Sequence, residues 1–130
     1  MSETFSYQNW LLNKVKERLD YDKYTGIFTW KDGKNKGQRA GCYKNINDYT
    51  EISVVINKRK HSFRANRLAW YFVYGRMPLE GLEIDHKDGV RSNDKIDNLQ
   101  EVTHEVNMQL AVIRRVNGHA IGQYLTLGRR

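Results

Sequence analysis

The sequence predicts an α+β fold, with an N-terminal helix, a small antiparallel sheet and a strand, loop, strand, helix unit towards the C-terminus. Apolar residues recur at helical spacing near both ends, and short β-branched and aromatic runs lie between turn residues. One long polar segment also separates two short apolar runs. Because 130 residues suffice for one modest core, we predict a single domain over residues 1–116 and a tail over residues 117–130.

The first elements are predicted to be a short amphipathic helix and a strand. Leu11, Val15 and Leu19 recur every four residues with charged residues between them, which is the spacing of one helix face. Tyr24-Thr25-Gly26 is typical of a turn, and the run from Ile27 to Trp30 favours a strand.

A basic, glycine-rich segment follows over residues 31–41. It contains three glycines and little that is apolar, so we expect a loop. Two interpretations remain open for it, a solvated linker and a set of phosphate contacts. Its cationic residues are Lys31, Lys34, Lys36 and Arg39.

The middle of the chain is predicted to form a hairpin and a buried helix. Strands are expected at residues 49–56 and 60–64, joined by Asn57-Lys58-Arg59. The run from Ala65 to Tyr74 is apolar on most sides and ends at Gly75, which indicates a core helix closed by a glycine. We expect its aromatic side chains to pack in the core rather than to stack on bases.

The C-terminal unit is predicted from a change in polarity. Residues 82–86 favour a strand, and the Asp-Gly pair of Lys87-Asp88-Gly89 favours a tight turn. Residues 90–97 are too polar for a buried element and are expected to form an ordered loop, after which residues 99–102 resume a strand. Thr103 is a good N-cap for a basic amphipathic helix carrying Val106, Leu110, Ile113, Arg114 and Arg115.

Charge and composition restrict the function. Lys and Arg outnumber Asp and Glu by 22 to 15, which gives a net charge of +7 and favours a polyanionic partner, with nucleic acid first. No apolar run approaches the ~20 residues of a membrane span, and the N-terminus does not resemble a signal peptide, so we expect a cytoplasmic protein without a membrane partner. Cys42 is the single cysteine, which excludes an internal disulfide and a structural zinc site built from paired cysteines.

Four polar residues of the C-terminal unit form a candidate catalytic centre. Asp85 and His86 end one strand, Asn98 opens the next, and Asn107 lies early on the helix, so three elements can meet there. A hard cation such as Mg²⁺ prefers oxygen ligands and keeps several waters, so the carboxylate of Asp85 and the amide of Asn107 suffice to hold it. Since neighbouring strand residues point to opposite faces, His86 is left to act on a water as general base, with Asn98 fixing its imidazole.

These residues resemble the HNH motif of phage-type homing endonucleases. Asn98 follows His86 by twelve positions and Asn107 follows Asn98 by nine, which fits that motif. The run from Leu19 to Trp30 is similar to the amino-terminal strand pattern of the family, and Arg67-Leu68-Ala69-Trp70 resembles the helix before its nuclease centre. The resemblance covers residues 19–115.

The resemblance implies a ββα-metal (HNH, or His-Me finger) nuclease core over about residues 82–115. It implies Asp85 and Asn107 as metal ligands, His86 as general base and Asn98 as the residue that orients it. Many HNH enzymes carry histidine at the last position, so the asparagine here resembles the HNN variant. Residues 117–122 resemble the start of a DNA-binding repeat, and we interpret the tail as its vestige.

The expected function is metal-dependent cleavage of double-stranded DNA by a phage-type homing or nicking endonuclease. Mg²⁺ is the expected cofactor, Mn²⁺ a substitute, and a monomer or weak dimer the working unit. The main alternative is a DNA-binding protein on the same fold that does not cleave, and composition does not separate the two. The candidate DNA contacts are Lys31, Lys34, Lys36, Arg39, Lys58, Arg59, Lys60, Arg91, Arg114 and Arg115.

Overall fold

The computed structural model describes residues 6–45 and 47–116. Helix α1 spans Tyr7–Arg18, α2 spans Ala65–Tyr74 and α3 spans His104–Val116. The strands are β1 (Leu19–Asp22), β2 (Ile27–Trp30), β3 (Arg39–Ala40), β4 (Glu51–Ile56), β5 (Arg59–Arg64), β6 (Leu82–His86) and β7 (Leu99–Thr103). The tail over residues 117–130 lies outside the described residues, and so does its interpretation as a vestigial repeat.

The predicted N-terminal helix is present, but it ends one residue earlier than its apolar spacing indicated. The Ser6 hydroxyl accepts a hydrogen bond from the Asn9 backbone N–H at 3.3 Å and caps the first turn. Leu11 and Val15 are buried as predicted. Leu19 is also buried, but its extended backbone begins β1, so it reaches the core from a strand.

The first sheet has the order β1-β2-β3 and is antiparallel. The turn between β1 and β2 closes at Gly26, whose N–H donates to the Asp22 carbonyl at 2.7 Å and whose φ is 76°. The segment over residues 31–41 is mostly turns, as predicted, but Arg39–Ala40 form β3 because they pair with β2. Ala40 is buried, which the polar composition of this segment concealed.

Strands β4 and β5 form the predicted hairpin, with a tighter turn than expected. Asn57 and Lys58 alone make the turn, with φ of 52° and 67°, and Arg59 already pairs with Ile56. Two successive residues of positive φ are typical of a type I′ turn, which matches the right-handed twist of a hairpin. Alternate residues of β4 are buried in the core.

Helix α2 is the predicted core helix and ends at Gly75, which adopts φ 75° and donates to the Tyr71 carbonyl at 2.8 Å. Trp70 and Tyr71 are buried, so these two aromatic side chains pack as expected, whereas Tyr74 is exposed. Helices α1 and α2 and strands β1 to β4 supply most of the buried apolar cluster, with three further residues, Ile84, Ile96 and Leu99, from the C-terminal unit.

The C-terminal unit has the predicted order, and β6 pairs antiparallel with β7 from Leu82↔Thr103 to His86↔Leu99. The loop between them differs from its prediction, because Asp94 and Ile96 are buried and residues 96–98 form a 3-10 turn. The Thr103 hydroxyl caps α3 by accepting from the Val106 N–H at 3.2 Å. None of the described side chains of α3 is buried, so its apolar face is less covered than we predicted.

In the described part of the chain, no helix has the length and apolar character that crossing a bilayer requires.

Candidate active site

A cleft of about 310 Å³ opens between β6, the turn after it and α3. Strand β6 contributes Asp85 and His86 at its end, and α3 contributes Asn107 from its first turns. Three of the four predicted catalytic residues therefore meet in one cleft. Its lining residues are Tyr49, Glu83, Ile84, Asp85, His86, Gly89, Arg91, His104, Asn107, Met108, Ala111 and Arg114.

Asp85 is buried and already paired with a cation of the protein. Arg114 of α3 donates to both carboxylate oxygens, with distances of 2.9 Å from Nη1 to Oδ1 and 3.1 Å from Nη2 to Oδ2. Gln100 Nε2 adds a third donor to Oδ2 at 2.9 Å. Burial by itself raises the pKa of Asp85, but these hydrogen bonds outweigh it and hold the pKa below its usual value, so the side chain is anionic at neutral pH.

His86 bonds to a carboxylate other than that of Asp85. Its Nε2 lies 2.9 Å from Asp94 Oδ1, and both side chains are nearly inaccessible, at 4% and 2% exposed. Burial raises the pKa of Asp94, and the hydrogen bond with His86 offsets part of that rise. The ring of Tyr49 lies beside the imidazole, with its centroid 5.9 Å from that of His86.

Asn98 does not hold the imidazole as predicted. Its Nδ2 donates to Asp88 Oδ1 at 3.0 Å and to the Asn93 carbonyl at 2.9 Å, and its Oδ1 accepts from the Asp88 N–H. The reason is register: His86 pairs with Leu99, which places Asn98 opposite the turn after His86. Asn98 therefore orders the loop, and the contact predicted from it to His86 comes from Asp94 instead.

Asn107 is oriented by Glu83, a residue that the sequence analysis missed. Asn107 Nδ2 donates to Glu83 Oε1 at 2.6 Å, while His104 Nδ1 lies 2.7 Å from Glu83 Oε2. These two contacts, with Asn107 first, lower the pKa of Glu83. Because a carboxylate only accepts, the amide nitrogen must face Glu83, and the amide oxygen is left for another partner. Glu83 was recognisable from strand periodicity, since it shares a face of β6 with Asp85.

Comparison with protein families gives one match at this site. The model of the HNH endonuclease family matches residues 63–109, from the end of β5 into α3. Residues 63–109 are therefore similar to HNH endonucleases. This agrees with the resemblance that the spacing of Asp85-His86, Asn98 and Asn107 indicated.

A solved structure has a similar fold. That structure is described as "DNA binding and cleavage by the HNH homing endonuclease I-HmuI", with a TM-score of 0.59 and 22% sequence identity, over 82% of this chain. The chain spans 60% of the length of that homing endonuclease. The likeness confirms the predicted α+β fold. A comparison with curated proteins finds no match.

At the rim of the cleft, a tyrosine is covered by two arginines. Tyr49 has the Arg64 guanidinium 4.0 Å and the Arg91 guanidinium 5.0 Å from its ring centroid. Arg91 was a predicted DNA contact, whereas Arg64 was not, because its position in β5 carried no signal beyond its charge.

The other predicted DNA contacts are spread over the surface of the module. Arg114 lines the cleft but is paired with Asp85, and Lys31 lies near Asp20 and the Lys16 carbonyl. Arg39 packs over the ring of Tyr43 at 5.6 Å. The remaining six are exposed on loops, on the β4–β5 hairpin and on α3, and they are Lys34, Lys36, Lys58, Arg59, Lys60 and, at the end of α3, Arg115.

The oxygen atoms that Asp85 and Asn107 offer in the cleft fit a hard cation that keeps most of its waters. Asp85 offers an anionic carboxylate, and Asn107 offers an amide oxygen from the facing helix. Over residues 6–45 and 47–116, no group of three or more His, Cys, Asp or Glu side chains is arranged around a common metal position. Two protein oxygens suit Mg²⁺ better than zinc, because Mg²⁺ retains most of its waters.

Proposed function

We propose that the chain is a metal-dependent DNA endonuclease in which His86 is the general base. The observation that carries this proposal is the meeting of Asp85, His86 and Asn107 in one cleft, from a strand and a facing helix. The family match over residues 63–109 supports the same chemistry.

His86 takes the proton from the attacking water. The water oxygen forms a bond to the phosphorus, and the bond from phosphorus to the 3′ oxygen breaks, with that oxygen leaving as the anion that solvent protonates. An imidazole is suited to this role near neutral pH, because it exchanges a proton in that range. The bulk of the imidazole is shielded by the loop and Tyr49, which limits its contact with other waters.

Asp85 and Asn107 hold the divalent cation, for which we propose Mg²⁺ with Mn²⁺ as a substitute. When bound, the cation neutralises charge on the scissile phosphate and on the leaving oxygen. Glu83 turns the Asn107 amide oxygen away from itself, and Gln100 fixes the Asp85 carboxylate. Arg114 shares that carboxylate, so a cation must compete with the guanidinium for it.

The substrate we propose is double-stranded DNA, nicked by one active centre in the manner of a phage-type homing or nicking endonuclease. Arg91 lies at the cleft, and the net charge of +7 favours phosphate binding over the wider surface. We propose a monomer or weak dimer acting in the cytoplasm of the host cell.

A second function is favoured by one observation. The bidentate contact between Arg114 and Asp85 satisfies the carboxylate without a metal, as in a DNA-binding protein that does not cleave. The deciding experiment incubates the full chain with supercoiled and linear duplex DNA and Mg²⁺, Mn²⁺ or EDTA, and maps the ends at nucleotide resolution. We expect nicks that require the cation; shifted but uncut DNA under every cation would select the second function.

A further inference from the structure

The pair formed by His86 and Asp94 carries an inference that rests on the proposed function. We propose that Asp94 is the positioning residue of His86. The amino-terminal sheet holds Asp94 in place, because Tyr21 and Gly26 contact the backbone at this residue. Residues outside the matched family segment thus help to set the orientation of the general base.

The first step is the tautomer of the imidazole. Asp94 Oδ1 lies 2.9 Å from His86 Nε2 in a site that excludes water almost completely. A carboxylate accepts hydrogen bonds, so Nε2 carries the proton and donates it, and Nδ1 is left with its lone pair. Asp94 therefore selects the tautomer in which Nδ1 is the nitrogen that accepts a proton from water.

The second step is the anchoring of Asp94 itself. The Tyr21 hydroxyl, on β1, donates to the Asp94 backbone carbonyl at 2.6 Å. Gly26 packs directly on the next peptide, since a Cβ there would lie 2.5 Å from the Asp94 carbonyl carbon and 2.4 Å from the Lys95 nitrogen. The amino-terminal sheet thus touches the loop at the residue that holds the imidazole.

The third step asks whether the buried pair of His86 and Asp94 serves to orient His86 or to fold the loop. The loop already has its own ties, because Asn98 binds Asp88 and Asn93 without help from Asp94. Taking a carboxylate and an imidazole out of water is costly, and an apolar pair of similar size would avoid that cost. The buried pair is therefore better explained by the orientation it gives to His86 than by loop closure.

The test compares Asp94→Ala, Asp94→Asn and His86→Ala in the full chain. Three quantities are measured for each variant. They are the single-turnover rate of cleavage with saturating duplex DNA and Mg²⁺, the affinity for DNA, and the tautomer of His86 by ¹⁵N NMR. We expect Asp94→Ala to lower the cleavage rate by about 100-fold, which is the loss expected when a general base is misaligned. DNA affinity should be unchanged. Asp94→Asn retains an acceptor oxygen and is expected to recover to within about tenfold of wild type.

The spectroscopic result does not depend on cleavage. Wild type is expected to show the tautomer with the proton on Nε2, and Asp94→Ala a mixture of both tautomers. Asp20→Ala, which removes an exposed carboxylate from β1 beside Tyr21, is the charge-matched control and should change neither the tautomer nor the rate.

The outcomes distinguish this inference from the proposed function. Wild-type cleavage by His86→Ala overturns the general base. Loss of cleavage by His86→Ala with full cleavage and an unchanged tautomer in Asp94→Ala overturns the positioning role alone. If Asp94→Ala does not fold, Tyr21→Phe tests the anchoring: we expect a several-fold slower step at unchanged DNA affinity, and a wild-type rate overturns the role of the amino-terminal sheet in holding Asp94.

Discussion

Two units of this protein share one element order and differ in almost everything else. The first consists of β4, β5 and α2, and the second of β6, β7 and α3, so each is a hairpin followed at once by a helix. In the first, a two-residue turn closes the hairpin and α2 is buried along one side. In the second, residues 87–98 separate the strands, and none of the described side chains of α3 is buried.

The comparison shows how one element order serves two purposes. Val54 and Leu68 of the first unit are fully buried and support the core. In the second unit, none of the described side chains of α3 is buried, and a cleft lined by Asp85 and Asn107 remains open beside the helix. Stability should therefore be most sensitive to the first unit, and cleavage to the second.

The largest expected effect lies in the second unit. His86→Ala should lower cleavage by about 10²-fold to 10⁴-fold at unchanged DNA affinity, because a general base enters only the chemical step.

Asn107→Ala should also cleave more slowly, but excess Mn²⁺ should restore part of its rate, since it lacks only a metal ligand. Gel assays of nicked plasmid across a Mn²⁺ titration check both, and equal rescue of the two variants would contradict these roles.

The first unit should respond in stability instead. Leu68→Ala is expected to cost about 2–5 kcal/mol of unfolding free energy, because the site is fully buried and closed by its neighbours. Val73→Ala on the same helix is the matched control, since Val73 is 39% exposed. Urea unfolding measures both, and a similar small loss in each would show that α2 does not support the core as described.

The bidentate pair in the cleft gives a smaller effect. Arg114→Gln removes the guanidinium that competes for Asp85, so Mn²⁺ affinity without DNA should rise by about tenfold. Arg115→Gln removes the same charge from the adjacent, exposed position and should leave the affinity nearly unchanged. Calorimetric titration compares them, and a weaker metal site in Arg114→Gln would mean that Arg114 assists Asp85.

The two units also differ in how far the sequence predicted them. Periodicity predicted β4, β5 and α2 closely, because alternating and helical burial determines these elements and Gly75 marks where the helix ends. In the second unit it predicted the element order and the meeting of Asp85 and Asn107 in one cleft, but not the burial of Asp94. A single polar residue in a polar loop carries no period that marks it as buried.

The assignment of the imidazole partner could not come from spacing. Asn98 has the correct distance along the chain, but pairing of His86 with Leu99 turns its amide towards Asp88. The backbone of Asp94 contacts Tyr21 and Gly26, which lie more than 60 residues earlier in the chain. Such a contact follows from tertiary structure, whereas Glu83 was accessible from strand alternation alone.

The smallest expected effect tests the boundary between the units. Arg76, just after α2, forms a bidentate pair with Glu101 of β7, at 2.8 Å and 2.9 Å. Hydrogen bonds from Arg76 lower the pKa of Glu101 from 4.5 to about 2. A folded-state pKa below the unfolded one contributes stability that is full above pH 4.5 and is lost as the pH falls towards 2.

Glu101→Gln should therefore be less stable than wild type at pH 7, by about 1 kcal/mol for a pair whose Arg76 side chain is 42% exposed, and the difference should shrink as the pH falls towards 2. Thermal unfolding at several pH values between 2 and 7 measures the gap. Glu105→Gln is the control, because it removes an exposed carboxylate in the first turn of α3. Its stability relative to wild type should not follow the pH dependence expected for Glu101→Gln. A gap that stays constant with pH would mean that Glu101 joins the two units by packing rather than by charge.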